Sequence, residues 1–180
     1  PRLRRFFGRD DEITKMAQIL ESESTTLLVP GIAGIGKTAL AAKLLERFTH
    51  RRNLLYHRCQ DWEGSRAFLE ACSEWLAMIG SNDLSDYVSS TPVPQVTMAV
   101  NLIIEGLKSS PALIVVDDLH KVADENFVAI LRGLTLRIPE AEELGLVMFS
   151  RSFRMVVPEN DTSGNSVAHF LPLEGLDQDS

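Results

Sequence analysis

The sequence of 180 residues predicts an α/β fold in three layers, with a mainly parallel five-stranded sheet between helices. Three observations carry this. Short runs rich in Leu, Val and Ile alternate with longer stretches whose apolar residues recur at helical spacing. One of the runs, "ALIVVDD" at 112–118, is apolar without a break until its two acids, which suits a strand covered on both faces of a parallel sheet. A glycine-rich loop, "GIAGIGKT" at 31–38, stands between a strand-like run and a helix-like one.

The elements follow in order. Residues 11–22 place Ile13, Met16, Ala17 and Leu20 on one helical face, with Asp10 or Asp11 available as a cap. "TTLLV" at 25–29 reads as the first strand, and helical spacing resumes after the glycine loop through about Phe48. "NLLYHRC" at 53–59 is the second strand, and Phe68, Cys72, Trp75 and Ile79 mark a helix over 65–79. Residues 81–95 are polar and hold Pro92 and Pro94, so they read as a surface loop. Val96, Val100, Ile103 and Leu107 mark the next helix, and 112–118 the third strand. Phe127, Ile130 (or Leu131), Leu134 and Ile138 mark a further helix. "GLVMFSR" at 145–151 is the fourth strand, 158–166 a loop, and "AHFLPL" at 168–173 the fifth strand. No internal repeat or low-complexity segment interrupts the series.

Composition narrows the class. The apolar content of 44% is that of a globular protein with a real core. No apolar run approaches the ~20 residues that span a membrane, and "PRLRRFFGRD" lacks the apolar stretch of a secretory signal. Cys59 and Cys72 have no disulfide or metal spacing and read as buried free thiols, as expected in a reducing cytoplasm. A net charge of −7 argues against a broad grip on nucleic acid by this domain. The sequence opens on Pro1 without an initiator methionine, as expected of a piece of a longer chain.

Gly31, Gly34, Gly36, Lys37 and Thr38 fit the spacing G-x-x-x-x-G-K-[ST], in the strand–loop–helix context that gives it meaning. Such a loop, Gly31 through Thr38 with Ile32, Ala33 and Ile35 between and Ala39 after, turns N–H groups inward at phosphate oxygens. The helix N-terminus behind it adds positive potential. Lys37 would reach the terminal phosphates, and the Thr38 hydroxyl would ligate Mg²⁺. A dinucleotide loop would need G-x-G-x-x-G and an acid about 20 residues on, and neither is present. Asp117, at the mouth of a parallel strand, would hold Mg²⁺, usually through water. Asp118 would polarise an attacking water, the bland alternative being a turn cap. His120 belongs to the turn after the strand. Arg151, at the end of a buried strand, would point into the crevice where open α/β sheets bind ligands and contact the γ-phosphate.

With those residues in view, the chain resembles the STAND-type signalling ATPases (NACHT, NB-ARC and archaeal-type) and their AAA+ relatives. "FFGRDDEI" resembles their hydrophobic-Gly-Arg-x-x-Glu leader, "GIAGIGKTALA" their Walker A, "LIVVDDLH" their Walker B, "LVMFSR" their sensor 1 strand and "FLPLEGL" the segment that closes the core. The likeness covers about residues 6–176. It implies a P-loop NTPase fold of the ASCE type, with sheet order 5-1-4-3-2. It also implies that Phe7, Gly8 and Arg9 lie at the adenine side, and that Gly31 to Thr38 hold the phosphates and Mg²⁺. Asp117 serves Mg²⁺, Asp118 the water, and Arg151 senses the γ-phosphate. The helical lid and winged helix of that family are not among these residues. Asp118 also stands where many AAA+ machines carry Glu, and its shorter reach fits a slow switch better than a motor.

The expectation is therefore a cytoplasmic ATPase core that binds ATP/ADP with Mg²⁺ and hydrolyses ATP slowly. As a molecular switch in a signalling or regulatory protein it would work with other domains of its chain and self-associate. The alternatives are an AAA+ ATPase of DNA replication or processing, and a nucleotide-binding module without turnover. A small-molecule kinase is weaker, because no acceptor site is visible. The absence of an Asn-Lys-x-Asp base reader favours adenine over guanine.

Overall fold

The computed structural model describes residues 9–152 and 168–173. The chain begins with helix α1 (Asp10–Ser22), strand β1 (Thr25–Pro30), helix α2 (Lys37–Phe48) and strand β2 (Asn53–Arg58). Helices α3 (Ser65–Met78), α4 (Asp83–Ser90) and α5 (Val96–Leu107) follow, then strand β3 (Ala112–Asp117) and a 3₁₀ turn, Leu119–Lys121. Helix α6 (Glu125–Arg137), a second 3₁₀ turn (Ile138–Glu140), β4 (Leu144–Ser150) and β5 (Ala168–Phe170) complete the order.

The five strands form one sheet in the order β2-β3-β4-β1-β5, and every pairing is parallel. Read from the other edge this is the expected 5-1-4-3-2. The sheet divides the core in two, as strand alternation requires. Leu27, Val29, Leu113, Val115, Val147 and Phe149 pack on α1 and α2. Leu28, Ile114, Val116, Leu146 and Met148 pack on the face covered by α3 to α6. Strands β3 and β4 are buried along their whole length, which explains their unbroken apolar sequences. Cys59 and Cys72 are buried free thiols, and burial pushes the Cys59 thiol up to about 12.

Three details differ from the sequence expectation. The segment 81–95 contains α4, a helix held by two buried residues, Leu84 and Val88. One apolar pair at i, i+4 is too little pattern to stand out, and both prolines fall after the helix. Helix α1 is preceded by Arg9 rather than capped by an aspartate; Asp10, Asp11 and Glu12 occupy its first turn, where negative charge suits the positive helix end. The fifth strand is shorter than 168–173, but its line continues through hydrogen bonds from Leu171 N to Leu28 O and from Leu173 N to Pro30 O, each 2.9 Å. The loop expected at 158–166 lies outside the described residues. Among the described residues no helix is long and apolar enough to cross a membrane.

One carboxylate secures two helix starts. Asp124 Oδ1 accepts from Asn126 N (2.8 Å) and Phe127 N (3.3 Å) at the head of α6, and Oδ2 accepts from Ser65 N (2.7 Å) at the head of α3. Burial would raise its pKa, but these N–H donors outweigh that and hold it below the usual aspartate range. Asp124→Ala should therefore destabilise the domain by about 2 kcal/mol, about 1 kcal/mol per cap lost. A native pKa below the unfolded one means that the ionic part of this stabilisation is complete above the unfolded aspartate range and fades as pH falls through the native value. Urea unfolding at neutral pH and at about pH 3 checks both; a variant as stable as the parent at neutral pH would refute the double cap.

Candidate functional site

The site forms where the strands end. Parallel β1, β3 and β4 all run toward one edge of the sheet, so the glycine loop after β1, the acids after β3 and Arg151 after β4 meet there. Gly34 and Gly36 turn the loop with φ of 78° and 97°, a region closed to most side chains. Gly36 immediately precedes α2, whose first N–H groups have no partner inside the helix and face the loop's concavity.

The centre of the site is a short polar chain. Thr38 Oγ1 donates to Asp117 Oδ2 at 2.7 Å. Asp117 is fully buried, and its Oδ1 accepts from Asp118 N at 2.8 Å. Tyr56, on edge strand β2, donates its phenol to the same Asp117 Oδ2 at 3.1 Å. Lys37 is 8% exposed and folds back over the loop, donating from Nζ to Gly31 O (2.6 Å) and Ile32 O (2.9 Å). Burial lowers its pKa, opposed by Asp117 and assisted by Arg151.

Asp118 adopts a left-handed backbone (φ 57°) at the start of the 3₁₀ turn. Asp tolerates this better than most residues. Its side chain makes no cap; Oδ2 accepts from Arg58 Nε (3.1 Å) and Lys121 Nζ (3.0 Å). Burial would raise its pKa, but the bonds from Lys121 and Arg58 outweigh burial and hold it below the usual range.

A cleft of about 390 Å³ opens above these residues, lined by Ala33, Gly34 and Gly36 of the loop, by Lys37, Thr38 and Ala39 at the start of α2, and by Arg58, Asp118, His120 and Arg151. Of the sequence candidates, Lys37, Thr38, Asp118 and Arg151 thus share one cavity with Ala33, Gly34, Gly36 and Ala39, and Asp117 lies beneath it. Three cations, Lys37, Arg58 and Arg151, line it beside one acid, Asp118, although the chain carries −7 overall. His120 belongs to the turn, as expected, yet also faces the cleft. Burial and then Arg151 lower its pKa, and its Nδ1 is buried without a hydrogen-bond partner. Gly31, Ile32 and Ile35 support the loop from outside the cleft lining. Arg9 is also outside it: it is 2% exposed and paired with Glu12 at 2.7 Å. Phe7 and Gly8 lie outside the described residues.

Sequence reasoning missed Arg58, Lys121 and Tyr56. The register pairs Arg58 with Asp117 across β2 and β3, but strand adjacency is invisible in one sequence. A basic residue closing a strand-like run, as in "LLYHR", is the signal that was available.

The arrangement can hold a polyanion. Positive-φ glycines, a helix N-terminus, Lys37 and Arg151 fit phosphate oxygens. A divalent cation fits the Thr38–Asp117 pair provided the ligand supplies oxygens too, because among the described residues no group of three or more His, Cys, Asp or Glu could hold a metal.

No curated protein matches the chain in sequence, but solved structures match its fold. Cdc6p from Pyrobaculum aerophilum superposes with a TM-score of 0.65 at 16% identity, over 95% of this chain and 46% of its own. The ORC1 protein of Aeropyrum pernix in complex with DNA gives 0.67 at 19% identity, over 94% and 46%. A chain of Drosophila ORC bound to DNA gives 0.61 at 16% identity, over 94% and 91%. At these identities the likeness is one of fold, and this chain spans about half the length of the first two, 46% of each. The all-parallel sheet in the order β2-β3-β4-β1-β5, flanked by helices, is that of the P-loop NTPase and AAA+ fold. The family described as AAA ATPase domain matches residues 5–148, which span the glycine loop, both acids and most of β4, and the chain belongs to that family.

Proposed function

We propose that this domain binds ATP with a divalent cation, hydrolyses it slowly, and passes its nucleotide state to a larger AAA+ protein. The observation that carries the reading is the Thr38–Asp117 hydrogen bond at the floor of a cleft walled by Lys37 and Arg151. The loop N–H groups and Lys37 would bind the phosphates, and Lys37 would exchange its two carbonyl partners for phosphate oxygens. Thr38 and Asp117 would hold Mg²⁺. When bound, the cation neutralises charge on the phosphate oxygens. Asp118 would orient the attacking water. An acid held ionised by two cations is a weak proton acceptor, which supports slow turnover. Adenine would sit toward the segment Phe7–Arg9.

For the output, the DNA-processing reading is better supported than the signalling one. The family is AAA, and two of the structural relatives are named as bound to or in complex with DNA. DNA contact would come from other parts of the larger protein, because this domain carries −7. A narrower place among STAND-type signalling ATPases is the second reading, favoured by Asp118 in place of Glu and by the Ser150–Arg151 ending of β4.

Arg151 tests the core of the proposal. In this reading it would reach only the γ-phosphate, so Arg151→Ala should weaken an ATP analogue about tenfold and leave ADP almost unchanged; the exposed position sets the effect at the low end of a charged hydrogen bond, ~1.5 kcal/mol. Paired titrations of both ligands decide. An equal loss for both would mean general electrostatics, and no loss for either would remove Arg151 from the site. That lost difference would also be the lost signal, because a ligand shifts an equilibrium only through differential affinity.

A further inference from the structure

Tyr56 belongs to none of the motifs that mark the site. It sits on β2 level with Val115, on the sheet face toward α2; the residue is 41% exposed, and its hydroxyl donates to Asp117 Oδ2. An ionised carboxylate offers about four lone-pair sites. In Asp117, Oδ2 already accepts two hydroxyls, from Thr38 and Tyr56, and Oδ1 accepts the Asp118 N–H. The carboxylate is fully buried, so little of it is left for a direct bond to a cation.

We propose that Tyr56 is a positioning residue for the divalent-cation site. Its phenol locks the Asp117 carboxylate in the orientation in which it accepts from Thr38, and so fixes the pair that would serve the cation. This rests on the nucleotide reading above. Partners that orient a metal's ligands contribute ~10–100-fold to metal affinity in known sites. Tyr56 shares its acceptor with Thr38, which places it at the lower end of that range.

The test compares the 180-residue chain with Tyr56→Phe, which keeps the ring and removes only the hydroxyl. A fluorescent ADP is titrated in Mg²⁺ and in EDTA, and the ratio of the two affinities is the Mg²⁺ coupling. The coupling should fall about tenfold in Tyr56→Phe, with the EDTA affinity within about twofold of the parent and the EDTA melting temperature unchanged. An unchanged coupling overturns the proposal. So does an equal loss of affinity with and without Mg²⁺, or a lowered melting temperature with intact coupling, since either makes Tyr56 a merely structural residue. If the parent chain itself binds no nucleotide, the wider reading fails with it. A second measurement leaves the parent sequence intact. The chain holds two tyrosines, Tyr56 and Tyr87, so 3-fluorotyrosine labelling yields two ¹⁹F resonances. Adding Mg²⁺ to the ADP complex should shift the Tyr56 resonance and leave that of Tyr87, whose hydroxyl accepts from Gln95 N. A Tyr56 resonance that does not move also overturns the proposal.

Discussion

Asp118→Asn should lower ATP turnover about 100-fold while nucleotide affinity stays within about threefold of the parent; that rate loss is the low end for removing a group that handles the attacking water. Asparagine suits the test because it tolerates the left-handed backbone that Asp118 adopts (φ 57°), so the turn survives and only the charge is lost. The substitution also releases Arg58 and Lys121 from their shared carboxylate oxygen. Freed cations beside the cleft would hold phosphate slightly tighter, which separates this outcome from a damaged pocket. Phosphate release and nucleotide titration, run on both proteins, decide it. Equal hydrolysis rates would reduce Asp118 to a turn residue whose carboxylate pairs two surface cations.

Lys37→Ala should weaken ATP and ADP alike, by about 10- to 150-fold, corresponding to the ~1.5–3 kcal/mol of a charge-assisted hydrogen bond. In the structure Lys37 bridges Gly31 O and Ile32 O, so an arriving phosphate replaces those contacts instead of finding an unpaired ammonium. The net gain is smaller than the full interaction for that reason, and the lower half of the range is the better expectation. If the variant binds labelled ATP as tightly as the parent, the loop does not hold phosphate and the functional reading collapses from its base.

The strands and most helices could be read from the sequence because each carries its own pattern. Strand β3 declares itself in "ALIVVD", and α2 in the spacing of Leu40, Ala41, Leu44 and Phe48. Helix α4 could not be read, because two buried residues make too short a stripe. Within the site, Lys37, Thr38 and Asp117 were legible as motif residues. Their order in space came with a family resemblance; the residues themselves do not encode it. Arg58 and Tyr56 were not legible, because what matters about them is their closeness to Asp118 and Asp117, 60 and 61 positions away. That closeness is a property of sheet register, which forms only once the chain has paired. Asp118 was legible as an acid but not as one engaged by two cations, and that engagement lowers its basicity.

The short strand β5 has a mechanical consequence. Leu171 and Leu173 are buried beside α1 and α2, and their N–H groups are tied to Leu28 O and Pro30 O, at the root of the glycine loop. A pull on the chain at Leu173 directed along β1 would load these bonds in shear, all together, and the strand would resist as a unit. The same pull directed away from the sheet would open them one at a time, beginning at the bond beside the loop. The edge is thus stiff along one axis and weak across it, and a force transmitted through residue 173 would reach the root of the glycine loop before the strands farther from β1.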